Sequence, residues 1–298
     1  MATIYDKMTA IANAIRSKTG YSGKLTLDQM ATQINSIETQ DTLIERKVTK
    51  IVNSNVSYVA SYAFWGYGAL QEVSLPNVTT VYSYAFSGCT SLISVSLPKV
   101  VSINNSFESA VGNKIQYAYL PKCTNYFPVG NSMISLTLGT SICDNITYKG
   151  ALKYVNFPNA TTIEGECFYN ARSLISASFP NVTSVGTNAF NQCILLSNIY
   201  LPKANYIGDS SFQSCSKLAQ LSISASYIGN MAFFSCTNLS KLTLTYPSVC
   251  RLGNYPTGIF IGTKIYSGTG SIYVPASLLA SYKNDYNWSY FSSRIFSM

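Results

Sequence analysis

The 298-residue chain contains no histidine. The usual imidazole base, the Ser-His and Cys-His nucleophile pairs and the commonest zinc ligand are therefore all missing. Among the carboxylates, Glu164 and Glu166 lie close together with Asp209 further on, too few convergent groups for a calcium cage. Gly20-Tyr-Ser-Gly23-Lys24 is shorter than a phosphate-binding loop. Gly66-Tyr-Gly68 lacks a third glycine and a following helix, and no G-x-S-x-G occurs. No catalytic residue, cofactor or metal is expected, and the chain reads as a non-enzyme.

Recognition chemistry is what remains, and its raw material is abundant: 23 tyrosines against 11% charged residues. Tyrosine offers a rigid apolar ring with a polar tip, and serine and asparagine beside it supply adaptable hydrogen bonds. The formal charge of +8 is spread along the chain. A diffuse excess of this size assists encounter with anionic surfaces but specifies none. Five arginines (Arg16, Arg46, Arg172, Arg251 and Arg294) and no recognisable module argue against nucleic acid. No run of about 18 apolar residues appears, so membrane insertion is not expected. Asp6 and Lys7 interrupt the stretch where a secretory signal would be apolar.

The elements that position these side chains come from a repeat. Aligning Ala63-Phe64 with Ala85-Phe86 also aligns Leu70 with Leu92, Val73 with Val95 and Leu75-Pro76 with Leu97-Pro98. The unit returns around Phe168, Phe190, Phe212 and Phe233, and it is degenerate between Pro98 and Pro158. Its alternation, as in Leu92-x-x-Val95-x-Leu97, has the period of a half-buried strand, and the proline that follows ends a ladder. One strand per coil is therefore expected. A single coil cannot bury its Leu, Val and Phe, so neighbouring coils must stack into a solenoid of about ten 22-residue coils with one parallel sheet. Cys89, Cys193, Cys215 and Cys236 each follow a core phenylalanine by three residues and fit small buried sites as reduced thiols. Cys123, Cys143, Cys167 and Cys250 show no C-x-x-C spacing.

The in-register pattern A-F-x-x-C-x-x-L-x-x-V-x-L-P resembles the BspA-type leucine-rich repeat over residues 43–275. That resemblance implies a ligand-binding or adhesive solenoid without catalytic residues. Ser271-Ile-Tyr-Val-Pro275 through Trp288 resembles the usual C-terminal end of the family. There Ser277 is expected to cap a helix carrying Leu278, Leu279 and Tyr282, and Trp288 to cover the last coil.

At the N-terminus, Ile4, Met8, Ile11 and Ile15 form one apolar helical face, and Gly20 stands where the helix would stop. Thr26-Leu-Asp-Gln29 has the form of a capping box opening a second helix, with Leu27, Met30, Ile34 and Ile37 inward. A pair this short cannot hold its own core. It must dock on the solenoid, on a copy of itself as a homo-oligomer, or on another protein. A-I-A-N-A-I-R-S-K-T-G followed by L-T-L-D-Q-M-A-T-Q-I resembles the short helical segment at the front of tail and minor structural proteins of phages from Gram-positive hosts. The resemblance implies attachment to other virion proteins through Ile4, Met8, Ile11, Ile15, Met30 and Ile34, and a particle assembled in the host cytoplasm. The alternative is a bacterial adhesin or interaction protein of the repeat family, extracellular or at the cell surface.

The expected organisation is a helical attachment segment over 1–40, the repeat solenoid over 41–270 and a cap over 271–298. Residues flanking each strand valine face away from the core. The most suggestive are Tyr117, Tyr119, Tyr154, Asn156 and Tyr200, with Tyr119 and Tyr154 expected two strands, roughly 10 Å, apart. They fit a cell-surface glycan or protein. Lys99 and Lys122 follow strand-ending prolines and read as a modest basic edge.

Overall fold

The computed structural model describes residues 48–107, 114–125, 127, 130–144, 146 and 149–298. The chain divides into two compact units, ending and beginning at Met133 and Ile134. The N-terminal attachment residues, Ile4 through Ile34, lie outside the described residues.

Each unit is a parallel β-solenoid. In the first, the strands Lys50–Val52, Glu72–Ser74, Ser94–Ser96 and Tyr117–Leu120 pair side by side in parallel, one per coil. In the second, Ser135–Leu138, Tyr154–Asn156, Ser176–Ser178 and Asn198–Tyr200 do the same. Gln220–Ile223, Lys241–Leu244, Ser271–Val274 and Ile295–Ser297 extend the row beyond a single bridge between Leu201 and Ile223. The central residues Val73, Val95, Val155 and Ala177 are buried between half-exposed or exposed neighbours, while Ile199 at the centre of Asn198–Tyr200 is half-buried. This front row is the one read from the alternation.

A second parallel row, absent from the sequence reading, runs through the same coils. It consists of two-residue strands: Tyr58–Val59 and Thr80–Val81 in the first unit, and six from Ile142–Cys143 to Arg251–Leu252 in the second. Two residues are too few to show a period, and this is why the coils read as single-stranded.

The turns around the core phenylalanines carry a third set of inter-coil bonds. Tyr62, Glu166, Asn188 and Ser210, two residues before the phenylalanine, have positive φ, as do Asn170, Gln192, Ser214 and Ser235, two after it. A left-handed residue costs about 1–2 kcal/mol when it carries a side chain. Here that conformation turns the N–H toward the next coil, where it meets a carbonyl, as in Asn188 N–H to Asp209 O at 2.9 Å and Gln192 N–H to Gln213 O at 2.8 Å. Close stacking also explains the glycine after the short strand. A Cβ on Gly208 would lie 2.8 Å from the backbone of Gly186 in the neighbouring coil.

Phenylalanines fill the interior in register. In the first unit Phe64, Phe86 and Phe107 stack at 5.3 and 5.1 Å. In the second Phe168, Phe190, Phe212, Phe233 and Phe260 stack at 5.1 to 5.7 Å with interplanar angles of 6° to 15°. Fully burying each ring contributes roughly 2–3 kcal/mol. Phe260 arrives on a short helix, Pro256–Phe260, within the longest coil.

The C-terminal segment closes this column. Phe291 meets Phe260 edge-on at 5.1 Å, and Trp288, fully buried, lies 6.2 Å from it. The Trp288 Nε1–H donates to Cys250 O at 2.7 Å, while Tyr282 Oη accepts the Cys250 N–H at 2.9 Å. Two buried polar tips thus find partners on one peptide. The expected Ser277 cap is not formed. Ala276–Leu278 is a 3-10 turn behind Pro275, and the helix Leu279–Asn284 starts directly from it with no side-chain cap.

Candidate functional site

The parallel register converts the alternation into an exposed front face with two outward columns per unit. In the second unit one column reads Tyr154, Ser176, Asn198 and the other Asn156, Ser178, Tyr200. Tyrosine and asparagine therefore exchange places between the outer strands, across a central strand that presents only serines. Tyr154 and Tyr200 sit on a diagonal with Cα atoms roughly 12 Å apart, two strand spacings by two residues. The small serines between them leave a shallow floor, bordered by two rings and two amides.

In the first unit Tyr117 and Tyr119 stand on one strand, roughly 7 Å apart, beside Ser94 and Ser96. Exposure is substantial for all four rings: 46% for Tyr117, 48% for Tyr119, 46% for Tyr154 and 57% for Tyr200. Among the described residues, none of the four packs against another aromatic ring. Asn156 is half-buried. The structure thus brings Tyr117 with Tyr119, and Tyr154 with Asn156 and Tyr200, onto outward positions of the front strands of their own units.

The few charges on this face are engaged locally. Lys50 Nζ is 2.8 Å from Glu72 Oε2. Lys241 Nζ lies 5.0 Å above the Tyr273 ring. What the face offers is ring faces, hydroxyls and amides, the groups that complement neutral sugar rings or uncharged peptide.

Other tyrosines are committed to one another. Tyr62 stacks on Tyr84 at 5.2 Å, Tyr206 on Tyr227 at 5.2 Å and Tyr266 on Tyr290 at 5.7 Å, while Tyr58 meets Tyr82 edge-on. In the first unit the Tyr62–Tyr84 pair lies at the turn and the Tyr58–Tyr82 pair at the short strands, and Trp65 is 52% exposed. Sequence reading did not single out these pairs. Tyr58, Tyr206 and Tyr227 each open a short strand ahead of an inward residue, whereas Tyr82 follows one. Of the lysine edge, Lys99 is tied to the neighbouring coil, as is Lys203 at the equivalent position of another coil. Lys99 Nζ donates to Asn77 Oδ1 at 2.7 Å, and Lys203 Nζ to Asn181 Oδ1 at 2.7 Å. Each asparagine in turn donates to a backbone carbonyl, of Ser54 and Pro158 respectively.

All eight cysteines are buried and free. The four in register share one role: Cys89, Cys193, Cys215 and Cys236 donate from Sγ to the carbonyls of Phe64, Phe168, Phe190 and Phe212 at 2.9 to 3.2 Å. Desolvation by burial pushes Cys89, Cys193 and Cys250 up to about 12, which removes them from nucleophilic chemistry near neutrality.

Stacked short parallel strands with an in-register phenylalanine and cysteine define a leucine-rich repeat solenoid. The BspA type Leucine rich repeat region matches residues 24–129 and 140–256, in six copies, and the chain belongs to this family. Solved structures with similarity to it include a leucine-rich repeat protein from Bacteroides ovatus (20% identity over 85% of this chain and 84% of that chain, TM-score 0.36). Others are a leucine rich cell surface protein from Faecalibacterium prausnitzii (16%, 80% and 80%, 0.36) and an internalin from Listeria monocytogenes (12%, 96% and 93%, 0.39). No curated protein matches the sequence significantly.

Proposed function

We propose that the protein is a non-enzymatic recognition protein that binds a cell-surface glycan or protein through the front strands of its units. The observation that carries this reading is a pair of exposed tyrosines on the front strands of each unit, Tyr117 with Tyr119 in the first and Tyr154 with Tyr200 in the second, whose rings pack against no other aromatic among the described residues. Free ring faces are where stacking on a ligand gains contact area without first breaking an internal pair. The resemblance of residues 1–40 to the front segment of phage tail proteins supports a virion component. In that role the N-terminal segment fastens the chain to the particle and the repeats read the host surface. Membership in the repeat family, taken without that segment, favours a bacterial adhesin as the second reading.

The Tyr117→Ser/Tyr119→Ser/Tyr154→Ser variant should lose cell binding while its thermal unfolding stays nearly unchanged. Undiminished binding by this variant overturns the placement. Deleting residues 1–40 should leave a folded chain that still binds cells and no longer joins its assembly. Retained incorporation counts against the virion role and in favour of the adhesin.

A further inference from the structure

Two inward slots recur along the stacked coils. One lies on the short strand and holds Val59, Val81, Ile163, Val185, Ile207 or Ile228. The other, four residues later and just before the core phenylalanine, holds Ala63, Ala85, Ala189, Ser211 or Ala232. The short-strand slot mostly holds a β-branched side chain, with Leu252 in register with Ile228, and the turn slot holds alanine or serine. One place departs from these residue types in both slots. Cys143, in register with Ile163, takes the short-strand slot, and Cys167 takes the small slot of the following coil.

These paired exceptions touch. The two Sγ atoms lie 2.9 Å apart, both buried. That is about 0.9 Å beyond a covalent S–S bond of roughly 2.0 Å. The in-register cysteines direct their sulfurs to phenylalanine carbonyls, Cys215 also interacting with Cys236, whereas Cys143 and Cys167 have each other. Lys149 places its ammonium beside them, held by Glu166 O at 2.8 Å.

We infer that Cys143 and Cys167 form a disulfide that ties the coil of Ile142–Cys143 to the coil of Thr162–Ile163. The bond forms by exchange with a low-molecular-weight disulfide. One cysteine thiolate attacks a sulfur of the small disulfide and expels one small thiol, and the second cysteine then displaces the other. The two protein thiols give up two protons and two electrons, and the small disulfide is reduced to two thiols. Burial opposes thiolate formation at Cys143. The exchange therefore takes place as the two coils dock or during local opening, and the finished bond is shielded from reductants. The cross-link starts within the stretch between Pro98 and Pro158 where the repeat is degenerate and ends in the first regular coil after it.

The test is to refold the full-length chain in a mixture of reduced and oxidised glutathione, alkylate it in denaturant without reductant, and map the peptides. Six of the eight cysteines should be alkylated, with the Cys143 and Cys167 peptides joined and the mass lowered by two hydrogens. The Cys143→Val/Cys167→Ala variant, which restores residue types the repeat uses in these slots, should fold and show six alkylated cysteines with or without the redox mixture. Eight alkylated cysteines in the parent chain, or a bond joining any other pair, overturns the inference. The same alkylation on natively purified protein, exposed to oxidised glutathione in mild urea, gives the same reading without a refolding step.

Discussion

In the second unit, Phe168, Phe190, Phe212 and Phe233 lie face to face along the interior, whereas Tyr154 and Tyr200 stand on the exterior of the same stack with no ring beside them among the described residues. The coil spacing is common to both sets. What differs is recurrence. Phenylalanine returns in every one of these coils at one slot, so each ring spends its faces on its neighbours. The outward tyrosines are separated by serines, so their faces stay open. Tyr206 and Tyr227 supply the intermediate case: tyrosines in register on adjacent coils stack at 5.2 Å, much as the phenylalanines do. Aromatic content alone therefore does not leave ring faces open; interruption of the aromatic column does.

The contrast can be broken most severely from the inside. Phe190→Ala removes the ring linking Phe168 to Phe212 and should cost about 3–5 kcal/mol in urea unfolding. A cost no larger than that of a surface substitution contradicts the role of the column. Gly208→Ala forces a Cβ against the Gly186 backbone and should cost about 1–3 kcal/mol by the same measurement. An unchanged midpoint means the coils can separate locally.

Alkaline pH acts on the interior through its buried thiols. Burial raises Cys89, Cys193 and Cys250 from the ordinary 9.0 to about 12, so between these values the unfolded chain releases thiol protons that the folded chain retains. Their contribution to stability is complete below about 9 and is lost as pH rises through about 12. Urea midpoints measured across this window should fall, and Cys193→Ala should flatten the slope.

The smallest effect on stability, and the most informative for binding, is Ser176→Tyr. It places a ring in register with Tyr154 and should reproduce the Tyr206–Tyr227 stack, changing stability by no more than about 0.5 kcal/mol. Ligand binding should nonetheless fall, although no tyrosine has been removed. Unaltered binding would mean that the ring faces are not what the ligand uses.

Much of this was legible before any coordinates. The period could be read because Phe86, Phe190, Phe212 and Phe233 each carry a cysteine three residues on. The outward positions of Tyr117, Tyr119, Tyr154, Asn156 and Tyr200 followed from alternation about the strand valine. The short second row was not legible, because two residues such as Ser184–Val185 carry no period. Nor were the left-handed turns at Glu166, Gln192 and Met231, because those residue types ordinarily signal a right-handed backbone. Ser277 illustrates the opposite error: a residue suited to capping lies inside a 3-10 turn because Pro275 starts the turn two residues earlier.

Sequence by itself determined that this chain stacks copies of one coil, that phenylalanine and cysteine fill the interior, and that the outer face is poor in charge. Those properties depend on which side chains recur and at what interval, and recurrence is written along the chain. Only the tertiary structure decided which residues of different coils meet: Tyr154 and Tyr200 across a serine floor, Cys143 against Cys167, Lys99 upon Asn77. Such meetings depend on the register between coils, set by hydrogen bonds between strands some twenty residues apart in the chain, which no local pattern encodes.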